Sequence, residues 1–410
     1  MIKEICPLEN CTGCMLCMNV CPKNAITIST DERGFYIPKI NQNCIECNIC
    51  KQKCPQLNKF ELKKELPKVF ASWNKNPTIR KNSTSGGIFY ALSKYILEKK
   101  GYVCGVALDQ NMIPKHIMIN EQSDIKLLMG SKYVQSKIGS IYVDIKEKLE
   151  NDCYVLFSGT PCQVMALKLY LKKNYSKLIL VDIVCHGVPS PLIYINYLKF
   201  LEEKYNSSVS NIFFRYNKDS WTFFNLKVDF KNGKEYIKDA NTDPYLIGFL
   251  NDYFSKECCH NCKYTTSNRV SDITIADFWG YISETKNLRN TEEGISLVLI
   301  NNEKGEEYFE KITKDLIVTE KSLEEAIAGN RCLKAPYGPS KNYKKFWQDY
   351  LCIGEEKQIS FISEYFLPTK VPLKRKFSLF VNDHSYMIPK FFRKKIYQLK
   401  PHIKRLIKGK

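Results

Sequence analysis

Eight cysteines near the start of the chain have the residue type and the spacing of metal ligands. They form two runs of the pattern C-x2-C-x2-C-x3-C-P: Cys11, Cys14, Cys17 and Cys21, then Cys44, Cys47, Cys50 and Cys54. Three closely spaced thiolates hold three corners of a [4Fe-4S] cube, and the fourth cysteine of each such run ligates the other cube. We therefore predict that Cys54 completes the first cluster and that Cys21 completes the second.

This pattern is typical of a bacterial two-cluster ferredoxin, which we predict for residues 1–60. Zinc ribbons use paired C-x2-C units, and disulfides require an oxidising compartment, so neither explains triplets closed by C-x3-C-P. Residues 25–28 and 35–40 flank a glycine turn and predict a β-hairpin between the two runs. Cys6 falls outside the pattern and is interpreted as an incidental thiol.

A second domain is predicted for residues 69–335, where strand and helix patterns alternate. Its first long helical pattern covers residues 88–97 and is preceded by small residues, Ser83-Thr84-Ser85-Gly86-Gly87. Backbone N–H groups at such a helix start suit a phosphate. Ser and Gly are also ordinary residues at a helix N-terminus, and the local sequence leaves both interpretations open.

Two further cysteines follow predicted buried strands. Residues 154–157 lead into a tight turn that contains Cys162 and then into a helix predicted from Val164, and residues 178–184 end at Cys185. Parallel strands place such turns at the carboxyl edge of the sheet, which is where ligands bind in α/β folds. If these two strands are parallel, the two thiols share one edge of the sheet.

Cys259 and Cys262 form a C-x2-C pair, and two thiols do not hold a cube. Cys162 and Cys185 are the natural completion because both lie in turns at strand ends. We predict a third [4Fe-4S] cluster on these four cysteines, and a zinc ion on the same thiols is the alternative. Cys258 competes with Cys259, but its C-x3-C spacing is less usual.

The remaining patterns complete the predicted architecture. Residues 211–238 alternate apolar and polar side chains around a glycine turn and predict an antiparallel insertion. A helix is predicted after it, over about residues 243–254. Residues 336–410 are assigned to a C-terminal extension. The predicted fold class is an α+β ferredoxin-like two-cluster module followed by an α/β domain with an antiparallel insertion and a basic C-terminal tail.

The formal net charge of +19 is concentrated at the C-terminus. Residues 370–410 hold thirteen Lys or Arg and one acid, and Phe392, Ile396 and Leu399 fall at helical spacing among them. This pattern predicts an amphipathic helix on an anionic membrane surface, with a disordered or partner-docking tail as the alternative. We expect no nucleic-acid partner, because the charge is a short tail and not a patterned face.

The number of cysteines indicates the compartment. Eighteen cysteines without a recognisable secretory signal favour a reduced cytoplasmic setting, with metal and not disulfides. No run of about eighteen apolar residues occurs, so no membrane span is predicted. We therefore expect a cytoplasmic protein whose only membrane contact is peripheral, through the basic tail.

Over about residues 69–335 the chain resembles the beta subunit of coenzyme F420-reducing hydrogenase and dehydrogenase. The resemblance lies in Ser83-Thr84-Ser85-Gly86-Gly87, Gly130-Ser131-Lys132-Tyr133, Ser158-Gly159-Thr160-Pro161-Cys162-Gln163, Cys185-His186-Gly187, and Cys259-x2-Cys262 followed by Ser271-Asp272-Ile273-Thr274. It implies an α/β domain that binds FAD beside a [4Fe-4S] cluster. The implied cluster ligands are Cys162, Cys185, Cys259 and Cys262.

The same resemblance implies which residues bind the FAD. Ser85, Gly86 and Gly87 would approach its phosphates. Lys132 and Tyr133 would line the flavin pocket, and Thr160 and Asp272 are further cofactor-binding candidates. No catalytic acid–base pair is evident in the sequence, and hydride transfer to a flavin does not require one.

The resemblance implies an oxidoreductase that passes electrons between a hydride donor, FAD, three [4Fe-4S] clusters and a redox partner protein. In the better-known members the donor is a soluble deazaflavin, coenzyme F420. The stretch Cys185-His186-Gly187-Val188-Pro189-Ser190 instead looks like a bacterial branch linked with surface polysaccharide synthesis. The alternative is a non-catalytic electron-transfer protein that feeds a reductase in such a pathway.

Overall fold

The computed structural model describes residues 4–58, 66–216, 221, 224–281 and 293–366. The strands in these ranges are β1 (Ile26–Thr30), β2 (Tyr36–Ile40), β3 (Lys68–Asn74), β4 (Tyr102–Leu108), β5 (Pro114–Ile119), β6 (Val155–Gly159), β7 (Leu178–Ile183), β8 (Val209–Tyr216), β9 (Asn225–Phe230), β10 (Glu235–Asp239), β11 (Ile273–Asp277), β12 (Ser296–Ile300) and β13 (Leu316–Lys321). The helices are α1 (Leu16–Asn19), α2 (Ile49–Lys53), α3 (Pro77–Asn82), α4 (Ile88–Glu98), α5 (Ile125–Leu128), α6 (Ile141–Glu150), α7 (Pro161–Leu171), α8 (Pro191–Tyr205), α9 (Pro244–Leu250), α10 (Glu303–Ile312), α11 (Leu323–Gly329), α12 (Tyr343–Leu351) and α13 (Glu355–Tyr365).

A mixed sheet of eight described strands forms the centre of the fold, in the order β13-β3-β12-β11-β7-β6-β4-β5. Its middle strands β4, β6, β7 and β11 are parallel neighbours, whereas β5 and β12 pair with them antiparallel. The strands before Cys162 and Cys185 are therefore parallel, which is the condition under which the two thiols share one edge of the sheet. The carboxyl ends of these strands meet at one edge of the sheet, where the candidate site lies.

Helices cover both faces of this sheet. Successive side chains of a strand point to opposite faces, so Leu156 joins the core under α4 and α10, whereas the next residue, Phe157, joins the core under α6 and α7. Ile179 and Leu180 on β7 divide in the same way. Burial on both faces explains why these strands read as continuous apolar runs.

The ferredoxin-like region packs directly onto the core under α6 and α7. β1 and β2 form the predicted antiparallel hairpin. Met15 and Leu16 are 2% and 1% exposed and join the core of α6 and α7, which contributes about 3–6 kcal/mol by apolar burial. Tyr36 N donates to Gln135 Oε1 at 2.9 Å, and Gln135 Nε2 donates to the Thr12 carbonyl at 3.3 Å. These contacts hold the two regions together.

The antiparallel insertion is confirmed as a three-stranded sheet of β8, β9 and β10. It packs with α8, α9, α12 and α13 around a core rich in aromatic side chains. Phe346, Trp347 and Tyr350 are each at most 2% exposed there. The basic tail at 370–410 lies outside the described residues. None of the described helices has the length and apolar character to cross a membrane.

Two helix boundaries differ from the sequence prediction. The helix expected from Val164 begins at Pro161, because Thr160 and Gln163 form a capping box that organises the turn itself. The helix expected over residues 243–254 ends at Leu250. Asp252 has a positive φ of 55°, which a continuous α-helix does not allow.

Candidate functional site

Cysteines from both runs line one small cavity in the ferredoxin-like region. Cys11, Cys14 and Cys17 of the first run meet Cys54 of the second around a space of about 30 Å³. A glycine lies between the first two of these ligands, at Gly13, and a Cβ there would approach the Tyr36 carbonyl to 2.9 Å. The structure therefore brings together the four thiols expected to bind the first cluster.

A second cavity holds the complementary set of thiols. Cys21 of the first run meets Cys44, Cys47 and Cys50 around a space of about 20 Å³. The Ala25 N–H donates to Cys21 Sγ at 3.3 Å. Cys47 is exposed, and so is 57% of its neighbour Ile45. The second cluster site thus lies at the surface of the protein.

The four cysteines predicted to bind the third cluster also lie together. Cys185, after β7, interacts electrostatically with Cys259 and Cys262, and Cys162, after β6, interacts with Cys262 and Cys185. Burial raises the pKa values of Cys162 and Cys185. A bound iron cluster would instead lower these pKa values, because coordination deprotonates a thiol. Four half-buried cysteines supply the number and type of ligands that a cubane needs, and Cys332 lies within electrostatic range of Cys262.

A buried ion pair holds the segment that follows Cys259 and Cys262 against the sheet. Arg269 Nη2 lies 2.9 Å from Asp182 Oδ2 on β7, and Arg269 Nη1 donates to the Tyr264 carbonyl at 3.0 Å. Burial raises the pKa of Asp182, and Arg269 opposes that effect. Asp182 was the one polar residue in an otherwise apolar strand, and its role is to position the chain that follows Cys262.

Two buried tyrosines lie between two of the cysteine sites. We call Cys11, Cys14, Cys17 and Cys54 the first group of thiols, and Cys162, Cys185, Cys259 and Cys262 the third group. Tyr142 Oη is 3.1 Å from the carbonyl oxygens of both Cys14 and Gln163, so its proton is shared between neighbours of the two groups. Tyr264 interacts electrostatically with thiols of both groups, Cys162 and Cys14 most strongly. The first ferredoxin cavity, and not the second, therefore adjoins the third group.

A cavity of about 420 Å³ opens at the carboxyl edge of the parallel strands. It reaches from the residues before α4 to Cys185, so one wall of the cavity belongs to the third group of thiols. The predicted cofactor residues that line it are Ser85, Gly87, Lys132, Tyr133 and Thr160. The structure thus brings most of the predicted FAD residues to one cavity beside the predicted third cluster.

The start of α4 has the features of a phosphate site. Its first turn has no side-chain cap, and Ser85 Oγ is buried without a hydrogen-bond partner among the described residues. Gly87 has φ +85°. Gly86 does not line the cavity: its N–H donates to Ser296 Oγ at 2.9 Å, and a Cβ there would lie 2.2 Å from the Ser72 carbonyl oxygen on β3. Unpaired donors at a helix start suit an anion, so Ser85 and Gly87 fit the phosphates of a dinucleotide such as FAD.

Lys132 is held at the cavity by main-chain acceptors. Its Nζ donates to the carbonyl oxygens of Met129 at 2.6 Å and Leu127 at 3.3 Å. Burial lowers the pKa of Lys132 to about 7. An anionic group in the cavity would favour the charged ammonium and raise that pKa again. Next to it, the Tyr133 ring centroid lies 4.8 Å from that of Phe249, which forms an aromatic wall.

Thr160 and Asp272 differ in their placement. Thr160 lines the cavity, and its Oγ1 is 3.1 Å from Cys162 Sγ. Asp272 lies outside the cavity, at the amino end of β11. Its carboxylate accepts from Leu180 N at 2.8 Å and lies 3.1 Å from Lys304 Nζ. The structure therefore does not bring Asp272 to the cofactor cavity, because its carboxylate is used to join β7, β11 and α10.

Further polar and aromatic residues of the cavity were not predicted. Arg215 from β8 pairs with Asp277 at the carboxyl end of β11. Trp221 Nε1 donates to Asp277 Oδ1 at 3.2 Å, and its ring stacks on Trp279 with centroids 4.9 Å apart. The only signal in the sequence for this group was the charged residue Asp277 at the end of a strand. Its ion pair with Arg215 joins two strands that are far apart in sequence and forms only in the folded chain.

The fold and the thiol groups define an iron–sulfur protein of the oxidoreductase type, with a dicluster module joined to an α/β domain. Residues 10–58 match the model of a 4Fe-4S dicluster domain. Residues 69–142 and 153–326 match the N-terminal and C-terminal models of the coenzyme F420 hydrogenase/dehydrogenase beta subunit. The chain belongs to this beta-subunit family and carries a 4Fe-4S dicluster domain at its start.

Two curated relatives come from Methanocaldococcus jannaschii. A coenzyme F420-dependent sulfite reductase is 25% identical over 315 residues, which is 75% of this chain but only 46% of that protein. An uncharacterized protein is 23% identical over 77% of this chain and 90% of its own length. The chain thus spans about half the length of the sulfite reductase.

A solved structure also shows a likeness. The F420-reducing [NiFe] hydrogenase complex of Methanosarcina barkeri contains a chain that is 20% identical, with coverage of 71% of this chain and 94% of that one. The TM-score is 0.45.

Proposed function

We propose that this chain is a flavoprotein that passes electrons between a soluble hydride donor and a redox partner protein, by way of FAD and three [4Fe-4S] clusters. The observation that carries the proposal is the cavity at the carboxyl edge, whose wall includes both the phosphate-type site before α4 and Cys185. A flavin accepts a hydride and releases its electrons singly, which links a two-electron donor to one-electron clusters.

The residues between the thiol groups support an order for the three clusters. The third group adjoins the first ferredoxin cavity through Tyr142 and Tyr264. Lys263 donates to the Pro55 carbonyl, directly after Cys54, and so joins the same two regions. The cavity of Cys21, Cys44, Cys47 and Cys50 is the exposed end. The redox partner is therefore proposed to approach at the second ferredoxin cluster.

The donor is proposed to be coenzyme F420 or a similar hydride carrier. Support comes from the family and from the curated relative described as F420-dependent. The chain's own residues have a positioning role: Lys132 supplies a cation, and Tyr133 and Phe249 supply an aromatic wall. For the basic tail we propose contact with anionic lipid, on the strength of its composition.

An anaerobic titration tests the proposed activity. Reduced F420, NADH, NADPH and reduced ferredoxin are added separately to the purified full chain, and the flavin absorbance and the cluster EPR signals are followed. We expect a hydride carrier to bleach the flavin and then to produce the cluster signals. Ser85→Asp places a negative charge at the phosphate-type site and should abolish this reduction by preventing FAD binding.

Ser210→Asp is the matched control, because Ser210 is exposed on β8. It should leave the titration unchanged. Reduction of the clusters by ferredoxin alone, with no response to any hydride carrier, would instead favour the non-catalytic electron-transfer protein that feeds a reductase, the role linked with polysaccharide synthesis.

A further inference from the structure

Cys6 adds a fifth thiol to the cavity of the first cluster. It is 6% exposed and lines this cavity together with Cys11, Cys14, Cys17 and Cys54. Its neighbours Ile5 and Ile26 complete an apolar cluster around these sulfur atoms. Cys6, interpreted from the sequence as an incidental thiol, is therefore placed by the fold beside ligands of both cysteine runs.

The contacts of Cys6 join the two runs. Its thiol lies in one small cavity with Cys11, the first ligand of the first run, and with Cys54, the last ligand of the second. The second cluster has no equivalent thiol at the corresponding place in sequence. Cys6 precedes Cys11 by five residues, and the residue five before Cys44 is Lys39, which is exposed.

Four other cysteines already supply the ligands of a cubane, which leaves the Cys6 S–H free to act as a donor. Reduction adds one negative charge to a cluster and its thiolates. A hydrogen bond to a thiolate sulfur stabilises the reduced state more than the oxidised state, and hydrogen bonds to sulfur are among the determinants of cluster potential. The effect is strongest where water is excluded, as around Cys6.

We propose that Cys6 is a positioning residue that donates its S–H to a ligand thiolate of the first cluster and so raises the reduction potential of that cluster. The second cluster lacks this donor. The two ferredoxin clusters thus differ in potential although their ligand runs have the same spacing. The inference rests on the ferredoxin clusters of the proposed function and is independent of the flavin and of the third cluster.

EPR-monitored redox titration of the anaerobically purified full chain tests this role. Cys6→Val removes the donor and keeps an apolar side chain at the buried position, whereas Cys6→Ser keeps a donor. In Cys6→Val we expect one ferredoxin signal to become harder to reduce, with about fivefold less reduced cluster at a fixed potential. The other ferredoxin signal should not move. Cys6→Ser should stay close to the wild type, as should the control Cys352→Val at an exposed position.

Three results would overturn the inference. The first is an unchanged potential in Cys6→Val, and the second is an equal shift in the Val and Ser variants, which would exclude the hydrogen bond as the cause. The third is loss of one whole cluster in Cys6→Val, which would make Cys6 a ligand. A wild-type protein with two ferredoxin clusters but no flavin would end the proposed function and still allow this test.

Discussion

Replacing Cys185 by serine is expected to remove about four of about twelve iron atoms and to leave both ferredoxin clusters in place. Cys185 is the thiol that joins the cysteine pair Cys259 and Cys262 to the sheet edge. It also lines the cavity proposed for FAD. Without the third cluster the electrons have no nearby acceptor, so transfer from the flavin to the ferredoxin clusters should fall to the background rate.

The variant should keep its flavin, because the phosphate-type site around Ser85 does not depend on Cys185. Iron analysis, flavin release and stopped-flow reduction of the variant measure the three expectations separately. Cys352→Ser is the matched control, since Cys352 is exposed at the end of α12. A Cys185→Ser protein with its full iron content and unchanged electron transfer would disprove the assignment of the third cluster.

Replacing Cys54 by serine is expected to destroy the first cluster, although Cys54 belongs to the second cysteine run. Its thiol lines the cavity of Cys11, Cys14 and Cys17. Conversely, Cys21→Ser should destroy the second cluster, because Cys21 lines the cavity of Cys44, Cys47 and Cys50. Each variant should lose about four iron atoms. The Cys54 variant should be the more damaging for electron transfer, since its cluster adjoins the third group.

EPR spectra of paired variants decide which cluster each cysteine serves. Cys54→Ser and Cys11→Ser should give the same remaining signal, because both lose the first cluster. Cys21→Ser and Cys47→Ser should likewise match each other and differ from the first pair. Matching spectra for Cys54→Ser and Cys47→Ser would mean that each run holds its own cluster and that the ligands do not cross over.

Local spacing made the ferredoxin ligands predictable from the sequence. The spacing of Cys11, Cys14 and Cys17 along the chain is enough to place their thiols around one cluster. The third group was predictable for a different reason, because Cys162 and Cys185 follow apolar strands and parallel strands end at one edge. The structure places these thiols together as the strand pattern suggested.

The remaining site residues could not be predicted because their contacts are formed by tertiary packing. Arg215 and Asp277 come from different sheets, and Cys6 shares a cavity with Cys54 only when the two cysteine runs fold together. Asp272 shows the reverse case. Its motif suggested a cofactor contact, but its carboxylate lies at the amino end of its strand and binds Leu180 N and Lys304.

The content of iron and flavin in the protein purified without oxygen tests the central claim most directly. The proposed chain of cofactors requires one FAD and about twelve iron atoms per polypeptide, in three [4Fe-4S] clusters. We predict that both counts are found in the same preparation. A protein with about eight iron atoms and no flavin would contradict the account, and would leave a ferredoxin joined to a domain without a redox role.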